Sequence, residues 1–160
     1  MTACVIYPGT FDPITNGHIE LIKRAAGSFN KIIVAVAASP DKQPLFNLQQ
    51  RINLIDSVVG SVQGVSIEGY DGLTVNFALK NKADFILRGI RAAKDFEHEF
   101  SLVSMNRNLA PNVETIFMMP SQEFMFISST LVKEVFSLGG DISNFVHPIV
   151  LAALIDKISN

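Results

Sequence analysis

Apolar runs and helical segments alternate along this chain, and that alternation constrains the fold more than any other feature. Continuous apolar runs such as KIIVAVAA, residues 31–38, are typical of strands that are covered on both faces. Between such runs lie segments whose apolar residues recur every three or four positions, as in residues 17–29. The alternation predicts an α/β protein with a Rossmann-like, doubly wound, mainly parallel five-stranded sheet and helices on both faces.

The predicted elements follow one another without a linker or an internal repeat, so we expect a single domain over residues 1–160. Strands are predicted at residues 3–7, 31–38, 64–70, 84–89 and 114–120. Helices are predicted at residues 17–29, 48–59, 74–82, 92–109, 129–138 and 148–158. We expect Asn16 to cap the first helix. The stripe formed by Phe96, Phe100 and Val103 is expected to face the core.

Composition and charge exclude several classes of function. The formal net charge of −2 argues against binding nucleic acid through broad electrostatics. The longest uncharged apolar run near the C-terminus, residues 145–155, is far shorter than the roughly 20 residues that span a bilayer. The N-terminal residues lack the basic start of a secretory signal, and the lone Cys4 fits a reducing compartment. We therefore expect a cytoplasmic protein with neither a nucleic-acid nor a membrane partner.

Polar residues concentrate at three junctions where a predicted strand is followed by a helix. These junctions are residues 8–18, 88–94 and 120–130. Ligands of open α/β sheets bind beyond the carboxyl ends of the strands, so we expect the fold to bring the three junctions together. The second junction, RGIRAAK, clusters basic residues within a mildly acidic protein, which indicates a small anionic ligand.

The first junction has the features of a phosphate site. Gly9 allows a close approach of the backbone to a ligand, and Thr10 offers a hydroxyl. The helix that opens near Gly17 presents free N–H groups and the positive end of its dipole. His18, on the first turn, can donate a hydrogen bond to a phosphoryl oxygen as charge develops there. An isolated Gly-His pair would more simply be a packed or capping residue, but the longer pattern around this pair favours phosphate.

Three motifs resemble those of a known family. GTFDPITNGH, residues 9–18, resembles the T-x-G-H signature of nucleotidyltransferases related to class I aminoacyl-tRNA synthetases, and ISSTLVKE, residues 127–134, resembles their second signature. RGIRAAKDFEHE, residues 88–99, is similar to the middle motif of the phosphopantetheine adenylyltransferases. The resemblance implies transfer of AMP from ATP to 4′-phosphopantetheine. The products would be dephospho-coenzyme A, in coenzyme A biosynthesis, and pyrophosphate.

The resemblance also implies roles for individual residues. His18 would stabilise the transition state, with Lys42 and Arg88 as the other catalytic residues. ATP would be bound by Thr10, Phe11, His18, Gly89, Ile90, Arg91, Glu99, Phe124, Met125, Phe126, Ile127, Ser128, Ser129 and Thr130. Phosphopantetheine would be bound by Thr10, Lys42, Leu73, Thr74, Arg88 and Asn106. Mg²⁺ held mainly by ATP phosphates, feedback inhibition by coenzyme A and a homohexamer built as a dimer of trimers are implied as well; no residue is assigned as a metal ligand.

The residue types suit these roles, although several have simpler explanations. A guanidinium grips a phosphate with paired donors, and a lysine supplies a mobile charge. Lys42 would otherwise be a solvated loop lysine, and Ser128 a plain helix cap. Glu99 would otherwise be an exposed helix carboxylate that pairs with a nearby base, and Asp95 is expected to pair with Arg91. Because a phosphate monoester is already anionic, the reaction needs alignment and charge stabilisation, without a covalent enzyme intermediate.

Three residues depart from the pattern of the phosphopantetheine adenylyltransferases. His98, Phe124 and Thr74 stand where the family usually has a tyrosine, a tryptophan and a larger apolar residue, which affects affinity rather than reaction class.

One rival function is that of an adenylyltransferase for nicotinamide or nicotinate mononucleotide, which should lack the middle motif. A cytidylyltransferase is disfavoured by the late motif. A non-catalytic nucleotide-binding module should have lost His18 or the arginines.

Overall fold

Five parallel strands form the centre of the computed structural model, which describes residues 3–39, 41 and 43–159. The strands are β1 (Cys4–Gly9), β2 (Lys31–Ala37), β3 (Val65–Tyr70), β4 (Phe85–Gly89) and β5 (Glu114–Met118). They form a sheet in the order β3-β2-β1-β4-β5, and each neighbouring pair in it is parallel. The predicted doubly wound sheet is confirmed.

The helices of the described residues agree with the predicted ones to within two residues at each end. They are α1 (Asn16–Ser28), α2 (Leu48–Val59), α3 (Thr74–Lys80), α4 (Ala93–Leu109), α5 (Ser129–Ser137) and α6 (Pro148–Ser159). The predicted cap of α1 was wrong: Thr15 is the N-cap, and Asn16 is the first helical residue. The Asn16 side chain instead donates to the carbonyl of Asn144 at 3.0 Å. Among the described residues, the helices are too short or too polar to cross a membrane.

Helices cover both faces of the sheet. One face carries a core to which α1, α2 and α6 contribute, with members such as Val5, Ile22, Val34, Ile55 and Leu154. The other face carries a smaller core to which α3 contributes, with members such as Ile6, Ile33, Val75, Ala78 and Ile86. Successive residues of a strand point to opposite faces, so neighbouring residues of β1 belong to different cores.

Helix α4 departs from its predicted packing. Phe96 is 46% exposed and Phe100 is 59% exposed, while Val103 is half-buried. The ring of Phe96 lies 6.0 Å from that of Phe100 and 5.9 Å from that of Phe117 on β5, measured between centroids. The prediction that this stripe faces the core was wrong. Helical apolar spacing alone does not show whether a stripe packs against the core of its own chain or lies exposed on the surface.

The strand order places a crevice beside β1. The chain runs from β1 through β2 to β3 on one side of the sheet, and then crosses to β4 on the other side. The loops that follow β1 and β4 therefore diverge, which opens a crevice at the carboxyl ends of these two strands. Residues 10–15 and 90–92 flank it.

Candidate active site

A cavity of about 780 Å³ opens at this crevice, and residues from all three polar junctions form its wall. The predicted site residues on the wall are Thr10, Phe11, His18, Arg88, Gly89, Arg91, Glu99, Phe124, Ile127, Ser128, Ser129 and Thr130. The expectation that the three junctions converge is therefore confirmed.

Other predicted residues lie away from the wall within the described part of the chain. They are Ile90, Met125, Phe126, Leu73, Thr74 and Asn106. Leu73 and Phe126 are exposed, and the hydroxyl of Thr74 lies 2.9 Å from that of Tyr70. Lys42 and the side chain of His98 lie outside the described residues. The roles assigned to all these residues stay predictions.

The first turn of α1 fixes the imidazole of His18. The N–H of Thr15 donates to Nδ1 at 3.0 Å, and Oγ1 of Thr15 also lies 3.0 Å from Nδ1. Thr15 and His18 thus form a capping box in which the histidine occupies the position usually taken by Glu or Gln. Because Nδ1 accepts a hydrogen bond from an N–H, the neutral ring carries its proton on Nε2.

Aromatic rings and burial complete the environment of His18. The ring of Phe11 meets the imidazole edge-on with centroids 5.1 Å apart. Phe11 has a φ of 49°, an uncommon left-handed conformation, and a Cβ on Gly9 would come within 2.9 Å of its ring. A side chain at position 9 would therefore have to displace the ring of Phe11. Burial, and then the charge of Arg91, lower the pKa of His18 to about 4, so the ring is neutral near pH 7.

Arg88, near the carboxyl end of β4, is held in a fork by Glu99 of α4. Its Nε donates to one carboxylate oxygen at 2.7 Å and an Nη donates to the other at 2.5 Å. The second Nη donates to the carbonyl of Pro8 at 3.2 Å. Burial opposes the charge of Arg88, but hydrogen bonds and attraction from Glu99 outweigh it and raise the pKa of Arg88. The cation is thus permanently charged. Glu99 does pair with a base, but the alternative of an exposed carboxylate was wrong, because Glu99 is buried.

Arg91 joins the second junction to the third. An Nη donates to the carbonyl of Ile127 at 2.8 Å, and Nε donates to Asp95 at 3.3 Å. The expected pair between Arg91 and Asp95 is therefore confirmed. These contacts hold a second guanidinium on the cavity wall, beside the start of α5.

The start of α5 uses its serine hydroxyls to shape the turn. Ser128 is the N-cap, and its Oγ accepts from the N–H of Leu131 at 3.0 Å. Oγ of Ser129 donates to the carbonyl of Pro13 at 2.8 Å, which ties α5 to the loop after β1. The other backbone N–H groups of this first turn have no helical acceptor, so they can donate to an anion in the cavity.

Three charged residues at the site were not predicted. Nζ of Lys133 lies 2.5 Å from a carboxylate oxygen of Asp12, and both residues line the cavity. Arg51 is 1% exposed and donates to four backbone carbonyls, including that of Thr10. Lys133 and Asp12 lie within quoted motifs and could have been noticed there. Arg51 stands at the polar start of a helix, where the sequence carries no signal of burial.

The carboxylates of the wall are paired with cations. Asp12 contacts Lys133, Asp95 contacts Arg91 and Glu99 contacts Arg88. Within the described ranges, the structure contains no group of three or more His, Cys, Asp or Glu side chains that could hold a metal ion.

Comparison with known proteins places the chain in a family. Residues 6–135 match the cytidylyltransferase-like family. A phosphopantetheine adenylyltransferase from Hahella chejuensis (strain KCTC 2396) is 55% identical over 150 residues, which cover 94% of this chain and 93% of the relative. Another, from Thioalkalivibrio sulfidiphilus (strain HL-EbGR7), is 51% identical over 154 residues, covering 96% and 97%. The chain belongs to the phosphopantetheine adenylyltransferase family. Membership makes it a nucleotidyltransferase enzyme, as the three motifs predicted.

Solved structures of other adenylyltransferases share the fold of this family member. One from Vibrio parahaemolyticus, described as a nicotinate-nucleotide adenylyltransferase, has a TM-score of 0.72 at 19% identity and covers 97% of this chain and 99% of that one. A nicotinic acid mononucleotide adenylyltransferase from Plasmodium falciparum has a TM-score of 0.67 at 18% identity, covering 99% and 95%. Identities this low show the shared fold alone.

Proposed function

We propose that this chain transfers AMP from ATP to 4′-phosphopantetheine and releases pyrophosphate, forming dephospho-coenzyme A. The observation that carries the proposal is that His18, Arg88, Arg91 and the start of α5 line the same cavity. The reaction brings two phosphate groups together, and such a meeting requires cations and hydrogen-bond donors around one point. Family membership supplies the identity of the acceptor.

The acceptor phosphate is held by Thr10, Lys42 and Arg88 and attacks the α-phosphorus of ATP. A new bond forms between an acceptor phosphate oxygen and that phosphorus, while the bond from phosphorus to the bridging oxygen of pyrophosphate breaks. The acceptor oxygen is already anionic, so no proton has to be removed before attack. Holding the oxygen in line with the leaving group supplies much of the rate acceleration.

His18 stabilises the charge that builds up on the α-phosphoryl oxygens. This role is supported by its tautomer, since Nδ1 accepts from the N–H of Thr15 and leaves the proton on Nε2. It is also supported by the pKa of about 4, which keeps the imidazole neutral and that proton in place. A neutral imidazole so placed acts as a fixed hydrogen-bond donor and not as a general base.

The nucleotide lies along the second and third junctions. Arg91 and the N–H groups at the start of α5, residues 128–130, bind the β- and γ-phosphates. Gly89, Glu99 and Phe124 are wall residues on the same side, and Glu99 also orients Arg88. The ATP phosphates would bind Mg²⁺, which would neutralise part of their charge, and the paired wall carboxylates fit an ion that keeps its own waters.

The competing activity is transfer of AMP to nicotinamide or nicotinate mononucleotide. Pyrophosphate release from ATP separates these activities when 4′-phosphopantetheine and the two mononucleotides are supplied in turn. Of the three acceptors, we expect only 4′-phosphopantetheine to give pyrophosphate release from ATP. Faster release with either mononucleotide would refute the proposal. Binding of ATP without release of pyrophosphate for any acceptor would instead indicate a non-catalytic nucleotide-binding module.

The chain assembles as a homohexamer, built as a dimer of trimers. This is supported by three exposed aromatic side chains of α4 and β5 whose rings lie together: Phe96, Phe100 and Phe117. Apolar patches of this kind on a folded surface mark interaction sites. Light scattering should give six times the 17.5 kDa mass of one chain, and a monomeric mass at micromolar concentration would refute the assembly.

Domain organisation, localisation and inhibition by coenzyme A complete the proposal. The enzyme is a single domain over residues 1–160 that works in the cytoplasm, where ATP and phosphopantetheine meet. Coenzyme A contains the whole product structure, so it competes for the same cavity and acts as a feedback inhibitor. Inhibition kinetics should show that coenzyme A raises the KM for 4′-phosphopantetheine.

A further inference from the structure

We propose that Arg51 is a positioning residue for the acceptor side of the cavity, an inference that rests on the proposed function. Arg51 lies on the first turn of α2, which begins at residue 48, and it is 1% exposed. Its side chain points away from solvent and into the base of the loops that follow β1 and β2.

The guanidinium of Arg51 joins the backbone of these two loops. One Nη donates to the carbonyls of Thr10 at 2.8 Å and Ala37 at 2.7 Å. The other Nη donates to the carbonyl of Ala38 at 3.0 Å, and Nε donates to that of Phe46 at 3.0 Å. One side chain thus holds the residue after β1, the end of β2 and the segment that enters α2.

Asp12 holds the same entering segment from the other direction. Its carboxylate accepts from the N–H of Leu45 and from the N–H of Phe46, each at 2.9 Å. The peptide groups on both sides of Phe46 are therefore fixed, one by Asp12 and the other by Arg51. Together the contacts tie the end of β2, at Ala37 and Ala38, to the segment that enters α2, at Leu45 and Phe46.

The choice of arginine is informative because a buried cation is costly. Burial lowers the pKa of Arg51, and the charge of Asp12 only partly opposes that effect. An apolar side chain would fill the same volume without desolvating a charge. Arginine instead offers five N–H donors in a rigid fork, which matches carbonyls arriving from three directions. The residue therefore serves to fix the position of Thr10 relative to the end of β2 and the segment that enters α2.

The test compares Arg51→Lys and Arg51→Gln with the wild-type enzyme. A lysine keeps the charge but cannot reach all four carbonyls, and a glutamine keeps one amide donor. For folded variants we expect the KM for 4′-phosphopantetheine to rise and kcat to fall, each by about tenfold, because the acceptor loops lose their alignment. The Kd of a non-hydrolysable ATP analogue should change by less than about twofold. Arg107→Lys, at an exposed ion pair on α4, is the matched control and should change none of these values.

If the wild-type enzyme is active, two results would overturn the inference. One is an unchanged KM for the acceptor, or an equal change in acceptor KM and analogue Kd. The other is loss of folding in both variants by circular dichroism, which would make Arg51 a residue of the fold alone. If the wild-type enzyme forms no dephospho-coenzyme A, the proposed function fails and hydrogen exchange decides the inference. Arg51→Lys should then speed exchange of the Leu45 and Phe46 amides by about tenfold and leave α5 unchanged, and equal exchange would overturn it.

Discussion

Helices α1 and α4 both begin beside the cavity, but they are held in different ways. α1 buries Ile19, Leu21 and Ile22 against the sheet, and its capping box fixes a site residue. α4 carries the buried Glu99 next to the exposed Phe100. The site residue of α1 is thus positioned by this chain's own core, whereas α4 pairs a site residue with an apolar surface that other subunits are proposed to cover. Four experiments test this difference between α1 and α4.

The largest effect is expected on α1. His18→Ala removes the Nε2–H donor, and kcat should fall by about a thousandfold, the scale of losing one transition-state hydrogen bond. The Kd of a non-hydrolysable ATP analogue should change by less than about threefold, since the donor acts mainly in the transition state. Pyrophosphate release and calorimetry measure the two quantities.

The control for this variant is His18→Gln. Glutamine at this position can still accept from the N–H of Thr15 and keep the capping box. It should restore the stability of α1 without restoring turnover. Equal losses in turnover and nucleotide affinity for both variants would make His18 a binding residue only.

The second effect concerns the apolar surface of α4. Phe100→Ser should weaken assembly by at least about thirtyfold, the cost of a lost hot spot, and should leave the stability of a single chain nearly unchanged. Sedimentation across a concentration series measures the first quantity. Leu138→Ser, at an exposed leucine that ends α5, is the control. If the Phe100→Ser variant keeps the assembly mass of the wild type, α4, like α1, does not depend on contacts with other subunits.

The third experiment compares two ion pairs of α4. Glu99→Gln leaves the partly buried Arg88 without its counter-charge and should lower the free energy of unfolding by about 2 kcal/mol, less than for a fully buried pair. Arg107→Ala breaks the exposed pair with Glu114 and should cost less than about 0.5 kcal/mol. Urea denaturation measures both. Similar costs would show that burial of Glu99 contributes little to holding α4.

The smallest effect is the pH dependence that His18 confers. Its pKa is about 4 when folded against 6.5 when unfolded, so between these values the unfolded chain binds a proton that the folded chain does not. The free energy of unfolding should therefore be complete above pH 6.5 and fall towards pH 4, by about 1 to 2 kcal/mol after allowance for partial exposure. Denaturation of wild type and His18→Gln across this range measures it. A parallel decline in both proteins would assign the loss to other groups.

The contrast between the helices also explains what the sequence could predict. The sheet and its helices followed from apolar periodicity, because β1 and β2 are covered on both faces by this chain itself. His18 followed from a local motif at a strand end. The stripe of Phe96 and Phe100 has the same spacing as a core stripe, so its exposure could not be read from the pattern.

Long-range hydrogen bonds were equally hidden. Lys133 meets Asp12 across 121 positions, and Arg51 reaches Thr10 across 41. Nothing in the local sequence at either end specifies such a partner, because the contact depends on how two loops meet in space. The cap of α1 was missed for a different, local reason: Asn16 and Thr15 are both good cap residues, and the hydrogen bond between Thr15 and His18, three positions apart, decided between them.

The fork between Arg88 and Glu99 has a consequence for how quickly products can leave. A guanidinium that already shares its charge with a carboxylate attracts an incoming dianion less tightly than a bare one. In the proposed reaction, transfer of AMP makes the acceptor's phosphate half of a phosphoanhydride, so that it carries less negative charge than the free monoester. The attraction between Arg88 and this phosphate is then weak. In the proposed mechanism, Arg88 can therefore align the reactant without retaining the product.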